Sequence, residues 1–413
     1  MLEELGKRAK AAAAELALTS EAERNYALRT IAKALEENMD AIIAANDEDI
    51  AEGERAGLRP ALLDRLKLTA DRIHGCAEGV RAAAELPDPL NILLDEAHRP
   101  NGLIIQKYSV PIGVIAVIFE ARPNVTVDSA ALCLKSGNAV VLRGGKEAIR
   151  SNLALSRVMR SALESAGFSS DCVQLVTDTS RESAKALMTL NGYIDLLIPR
   201  GGAGLIQAVV REATVPVIET GAGTCHIYVD KSADIHMAVD IVDNAKTSRP
   251  SVCNAVECIL VHSDIAADFL PRLAAVLKEK HCEIRGDERI REILPDVTPA
   301  QESDWGKEYG DYILAAKTVD SMDEAVAHIR RYGTGHSECI ITDDDDSARK
   351  FQLTVDAAAV YHNASTRFTD GGEFGFGAEI GISTQKLHAR GPLGLRELTS
   401  IKYIIEGNGQ IRV

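Results

Sequence analysis

The stretch Val114-Ile115-Ala116-Val117-Ile118-Phe119 is six consecutive apolar residues, without the alternation of a strand that faces water on one side. Such a run is typical of a strand buried on both faces of a parallel sheet. After it, predicted helices and strands alternate, and parallel strands need crossover helices between them. The pattern therefore predicts a doubly wound α/β sheet. Its further strands are predicted over 139–142, 173–176, 194–198 and 215–218, and its helices over 127–135, 146–165, 181–190 and 203–213.

A second alternating block runs from about residue 225 to residue 361 and predicts another α/β unit. Before the first block, residues 1–87 are predicted to form scaffold helices, with Ser20 and Glu23 making a capping box. The segment 363–396, rich in Gly, Phe and polar residues, is predicted to be a loop. In the second block, strands are predicted over 256–261, 312–315, 338–341 and 358–361, and helices over 265–280, 322–331 and 346–353.

Size and charge limit the classes of function. A chain of 413 residues exceeds one ordinary core, so two or three domains are expected. The formal net charge of −15 argues against a nucleic-acid partner, which needs a basic face on the protein. No apolar run reaches the roughly 20 residues of a membrane span, and the first residues lack the pattern of a signal peptide. We therefore expect neither a nucleic-acid nor a membrane partner.

The cysteines and histidines show no metal-ligand spacing. Eight cysteines are scattered without a C-x-x-C pair, and the ten histidines form no H-E-x-x-H motif. The run Asp343–Asp346 is interpreted as a helix start, where the helix dipole favours acidic side chains. We expect no metal site, and we expect free thiols in a reducing cytoplasm.

Two motifs after predicted strands carry polar groups that could bind a ligand or do chemistry. In Glu120-Ala121-Arg122-Pro123-Asn124, the Asn124 amide could donate to a developing oxyanion, or could cap a turn. In Arg143-Gly144-Gly145-Lys146, two glycines and two cations precede a helix. This second motif is either a phosphate cradle or an ordinary turn with surface charges.

Two further motifs are rich in glycine. Pro199-Arg200-Gly201-Gly202-Ala203-Gly204 fails the G-x-G-x-x-G fingerprint, but its glycines could still let the backbone approach a pyrophosphate. In Glu219-Thr220-Gly221-Ala222-Gly223, the carboxylate of Glu219 could act as a base or a ribose ligand, or could make a structural hydrogen bond.

The stretch from Thr247 to Cys258 places Cys253 between a predicted helix and a predicted strand, beside Ser, Asn and Pro. A cysteine presented by a loop in this way could act as a nucleophile on a carbonyl group. The alternative is a buried cysteine that acts as a small hydrophobic residue.

Taken together, these motifs resemble those of the aldehyde dehydrogenase superfamily. Gly137-Asn138-Ala139-Val140-Val141-Leu142-Arg143 matches the superfamily's second cofactor strand, and Cys253 stands 34 positions after Glu219, as in that superfamily. The resemblance spans nearly the whole chain. The stretches 120–138, 142–146, 217–226 and 391–397 resemble one branch, which reduces L-glutamyl 5-phosphate.

The resemblance implies an α/β, aldehyde-dehydrogenase-like fold with two doubly wound parallel-sheet domains and a small oligomerisation β-flap. It implies an NADP-binding domain over 1–97 and 113–224, a catalytic domain over 225–396, and oligomerisation strands over 98–112 and 397–413. The implied activity is the NADPH-dependent reduction of L-glutamyl 5-phosphate to glutamate 5-semialdehyde, with phosphate released, in proline biosynthesis. The implied partners are the small-molecule substrate, a second copy or three further copies of the chain, and glutamate 5-kinase.

The resemblance also implies roles for single residues. Cys253 would form a thioester, and Asn124 would donate to the oxyanion. Arg143 stands where the superfamily usually has a lysine. An arginine can pair with a ribose 2′-phosphate, so this replacement fits NADP as the cofactor. The NADP-binding set is Arg143, Gly144, Gly145, Lys146, Arg200, Gly201, Gly202, Glu219 and Glu308, and the substrate-binding set is Glu120, Arg122 and Arg367.

Two alternatives remain open from the residues. One is another acylating semialdehyde dehydrogenase of the superfamily, dependent on CoA or phosphate. The other is a non-catalytic binding protein of the same fold. Phosphate-dependent activity would distinguish the implied enzyme from the other acylating dehydrogenase. Loss of activity on replacing Cys253 would distinguish it from a binding protein.

Overall fold

The structure, a computed structural model, describes residues 2–412 and every side chain among them except those of Ala61 and Ala203. The chain divides into two compact units. The first unit comprises the chain up to Thr220, Gly375–Gly381 and the chain from Leu393 onward, and the second comprises Gly221–Phe374 and Ile382–Pro392. No helix of the described part is both long and apolar enough to span a bilayer.

The first unit contains nine helices and seven strands within its described residues. The helices are α1 (Leu2–Leu16), α2 (Glu21–Glu37), α3 (Met39–Arg55), α4 (Pro60–Leu66), α5 (Ala70–Glu85), α6 (Asn124–Lys135), α7 (Ile149–Ser165), α8 (Arg181–Met188) and α9 (Ala203–Glu212). The strands are β1 (Leu93–His98), β2 (Ile104–Pro111), β3 (Val114–Phe119), β4 (Ala139–Arg143), β5 (Val173–Leu175), β6 (Leu196–Arg200) and, from the C-terminal part, β16 (Thr399–Glu406).

A four-stranded parallel sheet in the order β5-β4-β3-β6 forms the centre of this unit. Every residue of β3 is buried, as its apolar sequence predicts. The predicted strand over 215–218 is wrong, since Val217 makes only an isolated bridge to Leu197. Pro216 lacks the backbone N–H that a longer ladder at this position would use, although its carbonyl accepts from the Leu197 N–H at 2.9 Å.

The scaffold helices begin where their capping residues predict. The Ser20 side chain accepts from the Glu23 N–H, and the Glu23 carboxylate accepts from the Ser20 N–H at 2.7 Å, so the predicted capping box of α2 is confirmed. Thr69 caps α5 more simply, because its hydroxyl accepts from the Arg72 N–H at 3.2 Å without a reciprocal bond. Helix α5 packs against α2 and α6, which connects the scaffold to the sheet.

A separate three-stranded antiparallel sheet has the order β1-β2-β16, and its strands β2 and β16 lie within the segments 98–112 and 397–413 that were predicted as oligomerisation strands. Strand β1 was not predicted. Seven of the eight residues of β16 are exposed, and four of those seven are large and apolar or aromatic: Ile401, Tyr403, Ile404 and Ile405. An exposed apolar strand of this kind is typical of an interaction surface.

The second unit contains five helices and nine strands within its described residues. The helices are α10 (Ile235–Thr247), α11 (Ser263–Glu279), α12 (Glu288–Ile293), α13 (Met322–Tyr332) and α14 (Asp345–Thr354). The strands are β7 (Cys225–Val229), β8 (Val256–His262), β9 (Glu283–Gly286), β10 (Thr298–Pro299), β11 (Ile313–Val319), β12 (Ser337–Ile341), β13 (Ala359–His362), β14 (Ile382–Ser383) and β15 (Gly391–Pro392).

Seven of these strands form one parallel sheet, in the order β10-β9-β11-β8-β7-β12-β13. One hydrophobic cluster covers one face of the sheet with α10, α11 and α12, and another covers the opposite face with α13 and α14. The predicted loop over 363–396 contains only the two-residue strands β14 and β15 and one short 3-10 turn. Asp344 caps α14, so the acidic run begins a helix as predicted.

Candidate active site

In the first unit, the predicted site residues gather at the carboxyl ends of β3, β4 and β6. Strand β3 lies between β4 and β6, and the chain leaves it toward β4 and later returns on its other side as β6. The crevice between such strands is where open α/β sheets bind ligands. Three predicted motifs, 120–124, 143–146 and 200–202, therefore lie at one edge of one sheet.

Asn124 is the first residue of α6, and its side chain is exposed. Its amide nitrogen donates to the Asp128 carboxylate at 2.9 Å, one helical turn further on. Burial raises the pKa of Asp128 to about 6, although Asn124 and Arg200 both oppose this rise. Because one amide N–H is held by Asp128, the orientation of the Asn124 amide is fixed and its second N–H can serve another acceptor.

Arg143 ends β4, and its guanidinium donates to the carbonyl oxygens of Thr179 and Ser180 at 2.6 and 2.9 Å. Burial lowers the pKa of Arg143. Its Nε is buried and has no hydrogen-bond partner among the described residues. Lys146 is exposed and begins the short 3-10 turn that leads into α7.

The two glycines after Arg143 lie close to neighbouring side chains. A Cβ on Gly144 would lie 2.1 Å from Asn152 Nδ2, and one on Gly145 would lie 2.0 Å from Glu147 Oε1. The same Glu147 oxygen accepts from the Ala121 N–H at 2.7 Å, which connects the turn after β4 to the turn after β3.

The turn after β6 is held by Glu120. The Glu120 carboxylate accepts from the Gly202 N–H at 2.8 Å, at the N-terminus of α9. A Cβ on Gly201 would lie 2.6 Å from the same carboxylate. Glu120, predicted to bind substrate, therefore contacts a glycine turn that was predicted to bind the cofactor.

The donors at this sheet edge fit a nicotinamide dinucleotide. Arg200 at the end of β6, like Arg143 at the end of β4, has a buried Nε without a partner among the described residues. Unpaired buried donors are uncommon, and guanidinium groups match phosphate oxygens. The residues that would hold the dinucleotide are Arg143, Lys146 and Arg200, with the glycine backbones beside them.

In the second unit, the nucleophile loop, residues 247–255, lies between α10 and β8, at the amino end of β8. Cys253 is partly exposed, whereas six of the other seven cysteines are buried, with Cys76 alone also partly exposed. The loop approaches the chain before β7 very closely, since a Cβ on Gly223 would lie 1.5 Å from the Cys253 carbonyl oxygen. The Cys225 thiol donates to that carbonyl at 3.3 Å. Glycine at 223 therefore allows the loop to pack here.

Glu308 also contacts this glycine segment. Its carboxylate accepts from the Gly223 N–H at 3.3 Å. Glu308 was predicted to bind the nicotinamide ribose, and its exposed side chain lies in the same unit as Cys253.

A buried ion pair closes the base of the nucleophile loop. Lys246 Nζ lies 2.5 Å from Glu257 Oε2, and both side chains are fully buried. The other Glu257 oxygen accepts from the Gly310 N–H at 3.2 Å. Burial raises the pKa of Glu257 to about 7, against the opposing effect of Lys246. Because Lys246 precedes the loop and Glu257 follows it, the pair holds the two ends of the loop together.

Arg367 is hydrogen-bonded to Asn254, the residue that follows Cys253. Its guanidinium donates to the Asn254 side-chain oxygen and, at 3.1 Å, to the Ser248 hydroxyl. The Asn254 amide in turn donates to the carbonyls of Arg367 and Thr369 at 3.1 and 3.0 Å. The segment 366–369 is thus fastened beside Cys253.

A buried polar cluster lies on the neighbouring strands. His226 and Cys258 are paired residues on β7 and β8, and the Cys258 sulfur lies 3.9 Å from His328 Nε2 on α13. The ligand atoms of these three residues all lie within 4.8 Å of one another, a grouping that could hold a metal ion. Burial alone would lower the pKa of His226, but Glu338, whose carboxylate lies 3.2 Å from its Nδ1, raises it to about 10. The predicted absence of a metal site stays a prediction.

Sequence reasoning missed several residues of these sites. Asp128 and Asn254 are ordinary polar residues in the sequence, and the link between Lys246 and Glu257 spans a loop without a recognisable motif. A signal was available only for Asp128, since an Asn and an Asp four positions apart on a helix lie on one face. Arg122 is partly buried in the turn before α6, and Glu219 is partly buried after segment 215–218 in the first unit.

Comparison with known proteins identifies the class. The model of the aldehyde dehydrogenase family matches residues 2–291. The structure of an acetylating aldehyde dehydrogenase from Geobacillus thermoglucosidasius, 18% identical, has the same fold with a TM-score of 0.72 and covers 100% of this chain and 97% of its own. The chain belongs to the aldehyde dehydrogenase family, and the predicted fold class is confirmed.

Closer relatives define the branch. The γ-glutamyl phosphate reductase of Carboxydothermus hydrogenoformans is 58% identical over 408 residues, which cover 99% of this chain and 98% of that protein. The crystal structure of γ-glutamyl phosphate reductase from Thermotoga maritima has a TM-score of 0.97 at 47% identity and covers 99% of each chain. The predicted resemblance to this branch is confirmed.

Proposed function

We propose that this protein reduces L-glutamyl 5-phosphate to glutamate 5-semialdehyde with NADPH and releases phosphate, as a step of proline biosynthesis. The observation that carries the proposal is the 58% identity, over nearly the full length, to a γ-glutamyl phosphate reductase. The partly exposed Cys253 and the dinucleotide-compatible sheet edge support it.

Cys253 is the proposed nucleophile. Its thiolate attacks the acyl carbon of the substrate, the carbon–oxygen bond to phosphate breaks, and a thioester remains on the sulfur. Bound NADPH supplies the hydride that reduces the thioester carbon. The resulting hemithioacetal oxyanion collapses to the aldehyde as the carbon–sulfur bond breaks, and the electron pair of that bond regenerates the Cys253 thiolate.

Asn124 and the Cys253 backbone N–H are the proposed donors to the tetrahedral oxyanion. One such donor is worth roughly 100- to 1000-fold in rate. Asp128 holds the Asn124 amide at 2.9 Å and is therefore proposed as its positioning residue. Arg122 and Glu120 are retained as proposed substrate contacts, and Glu219 as a cofactor contact.

NADP is the proposed cofactor rather than NAD. Arg143 would hold the ribose 2′-phosphate, because a guanidinium with an unpaired buried Nε suits a phosphate oxygen. Lys146, Arg200 and the glycine turns would hold the rest of the dinucleotide, together with Glu308 at the nicotinamide ribose.

We further propose a homo-oligomer assembled through the three-stranded sheet. The exposed apolar residues of β16 support this, since a small isolated sheet with such a surface is marginal in water. None of the eight cysteines forms a disulfide within the described residues, which fits a reducing cytoplasm as its location. An association with glutamate 5-kinase stays a prediction.

Oxidation of glutamate 5-semialdehyde with NADP⁺ and inorganic phosphate tests the proposal in the reverse direction. The wild type should form NADPH only when phosphate is present, and Cys253→Ala should abolish turnover. Cys76→Ala, which replaces the other partly exposed cysteine, is the matched control and should keep it. Activity with CoA instead of phosphate would favour the other acylating dehydrogenase, and preserved turnover in Cys253→Ala would refute the nucleophile.

A further inference from the structure

Two arginines stand beside the nucleophile loop of the second unit. Arg249 is exposed and lies within the loop, four positions before Cys253, while Arg367 is partly buried in the segment after β13. Ser248, the neighbour of Arg249, accepts a hydrogen bond from Arg367 at 3.1 Å. This contact brings the two arginine positions together. Burial lowers the pKa of Arg367, and the nearby charge of Arg249 lowers it further.

Neutral groups, not carboxylates, hold Arg367 in place. Its two side-chain partners are the Ser248 hydroxyl and the Asn254 amide oxygen. The Thr366 hydroxyl also donates to the Asn254 carbonyl at 2.7 Å, so the segment and the loop are joined by both side chains and backbone. The guanidinium is therefore fixed beside Cys253 by neutral groups, while the carboxylates of Asp370 and Glu373 act on it only from beyond ion-pair distance.

Neither arginine forms an ion pair with any described residue, and Arg249 makes no hydrogen bond within the described chain either. In the same unit, Arg285, Arg289 and Arg331 each pair with a carboxylate at 3.0 Å or less. The chain carries a net charge of −15, so carboxylates are plentiful. Two neighbouring cations that lack an ion-pair partner repel each other, and a bound anion would offset that repulsion.

We propose that Arg249 and Arg367 form the binding site for the phosphoryl group of the substrate, and for inorganic phosphate in the reverse reaction. This rests on the proposed function. The phosphate is bonded to the carbon that Cys253 attacks, so its oxygens must lie next to the sulfur. The carboxylate at the far end of a glutamyl chain is separated from that carbon by three further carbons. Two guanidinium groups also match the double negative charge of a phosphoryl group.

The proposed phosphoryl site assists the cleavage of the carbon–oxygen bond to phosphate. When the sulfur–carbon bond forms and the carbon–oxygen bond to phosphate breaks, the electron pair leaves on the phosphate oxygen. The two guanidinium groups stabilise the charge that accumulates there. Asn254 and Ser248 act as positioning residues, because they contact Arg367.

Kinetics of Arg249→Gln test the proposal, since this side chain makes no hydrogen bond within the described chain that folding would lose. In the oxidation of glutamate 5-semialdehyde, the KM for inorganic phosphate should rise roughly 10- to 100-fold, as expected for the loss of a charge-assisted hydrogen bond. The KM values for the semialdehyde and NADP⁺ should stay within about twofold, and Arg249→Lys should recover part of the loss. Arg330→Gln, at an exposed position of α13 in the same unit, is the control and should behave as wild type.

An unchanged KM for phosphate in Arg249→Gln would overturn the proposal. A rise in the KM for the semialdehyde alone would also overturn it, because the arginines would then hold the carboxylate of the substrate. A second measurement does not need turnover: inorganic phosphate should protect the Cys253 thiol of the wild type from iodoacetamide, and roughly tenfold more phosphate should be needed in Arg249→Gln. If the wild type shows no phosphate-dependent oxidation, the proposed function fails, while the protection experiment still decides whether the anion site exists.

Discussion

The buried pair Lys246–Glu257 gives a sharp prediction for stability. Glu257→Gln keeps the shape of the side chain but removes its charge, which leaves the Lys246 ammonium without a counterion in a fully buried place. Among the described residues, the Lys246 ammonium donates to Glu257 Oε2 at 2.5 Å, and the nearby Tyr309 ring, 5.9 Å away, is a weak substitute for that partner. Removing one partner of a buried pair costs about 3–5 kcal/mol, so the free energy of unfolding should fall by that amount.

Urea unfolding followed by fluorescence measures this change in the right unit, because Trp305 is the one tryptophan of the chain and lies in a core cluster of the second unit. The matched control is Asp323→Asn, which breaks the exposed pair with Lys350 in the same unit. An exposed pair contributes about 0–1 kcal/mol, so the control should change little.

The double variant Lys246→Met/Glu257→Leu completes the test. It leaves neither charge of the pair buried, so its free energy of unfolding should lie within about 1 kcal/mol of the wild-type value, or above it. If Glu257→Gln shifts the unfolding midpoint no more than Asp323→Asn does, the pair does not hold the base of the nucleophile loop. If the double variant is less stable than Glu257→Gln, the cost does not come from an uncompensated charge.

Three further outcomes are expected. Arg143→Ala should weaken NADP⁺ binding roughly tenfold by calorimetry and leave NAD⁺ binding within about twofold, since one charge-assisted contact to the 2′-phosphate is lost. If the ratio of the two dissociation constants is unchanged, another residue binds that phosphate. The kcat/KM of the wild type should fall as the pH drops below about 6. Burial raises the pKa of Asp128 to about 6, so below that pH its carboxylate is protonated and no longer holds the Asn124 amide as an anion. Asp128→Asn should remove this decrease at low pH. Burial lowers the pKa of His336 from 6.5 to about 4, so its contribution to stability is complete above pH 6.5 and is lost as the pH falls toward 4. Between about pH 8 and about pH 5 the wild type should therefore lose about 2 kcal/mol of unfolding free energy that His336→Gln does not lose, and equal losses would contradict the assignment.

The sequence determined the elements of the fold wherever local pattern and burial agree. The six apolar residues of 114–119 form a strand that is buried on both faces, as their continuous apolar run predicts. Ser20 and Glu23 provide hydrogen-bond partners for the N–H groups at the start of their own helix, so that start is also encoded locally. The strand predicted over 215–218 failed because the proline within it lacks the donor that a ladder needs. Strand β1 was missed because its residues are mostly exposed and carry no buried face.

The sequence also predicted which motifs carry chemistry, since Cys253, Asn124 and the glycine turns stand in long stretches that resemble one family. Only the tertiary structure decided how those residues are held. Asn254 contacts Arg367 across more than one hundred positions, Lys246 meets Glu257 across a loop, and Gly223 is needed because another part of the chain packs against it. Such contacts depend on which strands become neighbours in a sheet, and a local pattern of residues carries no information about that choice.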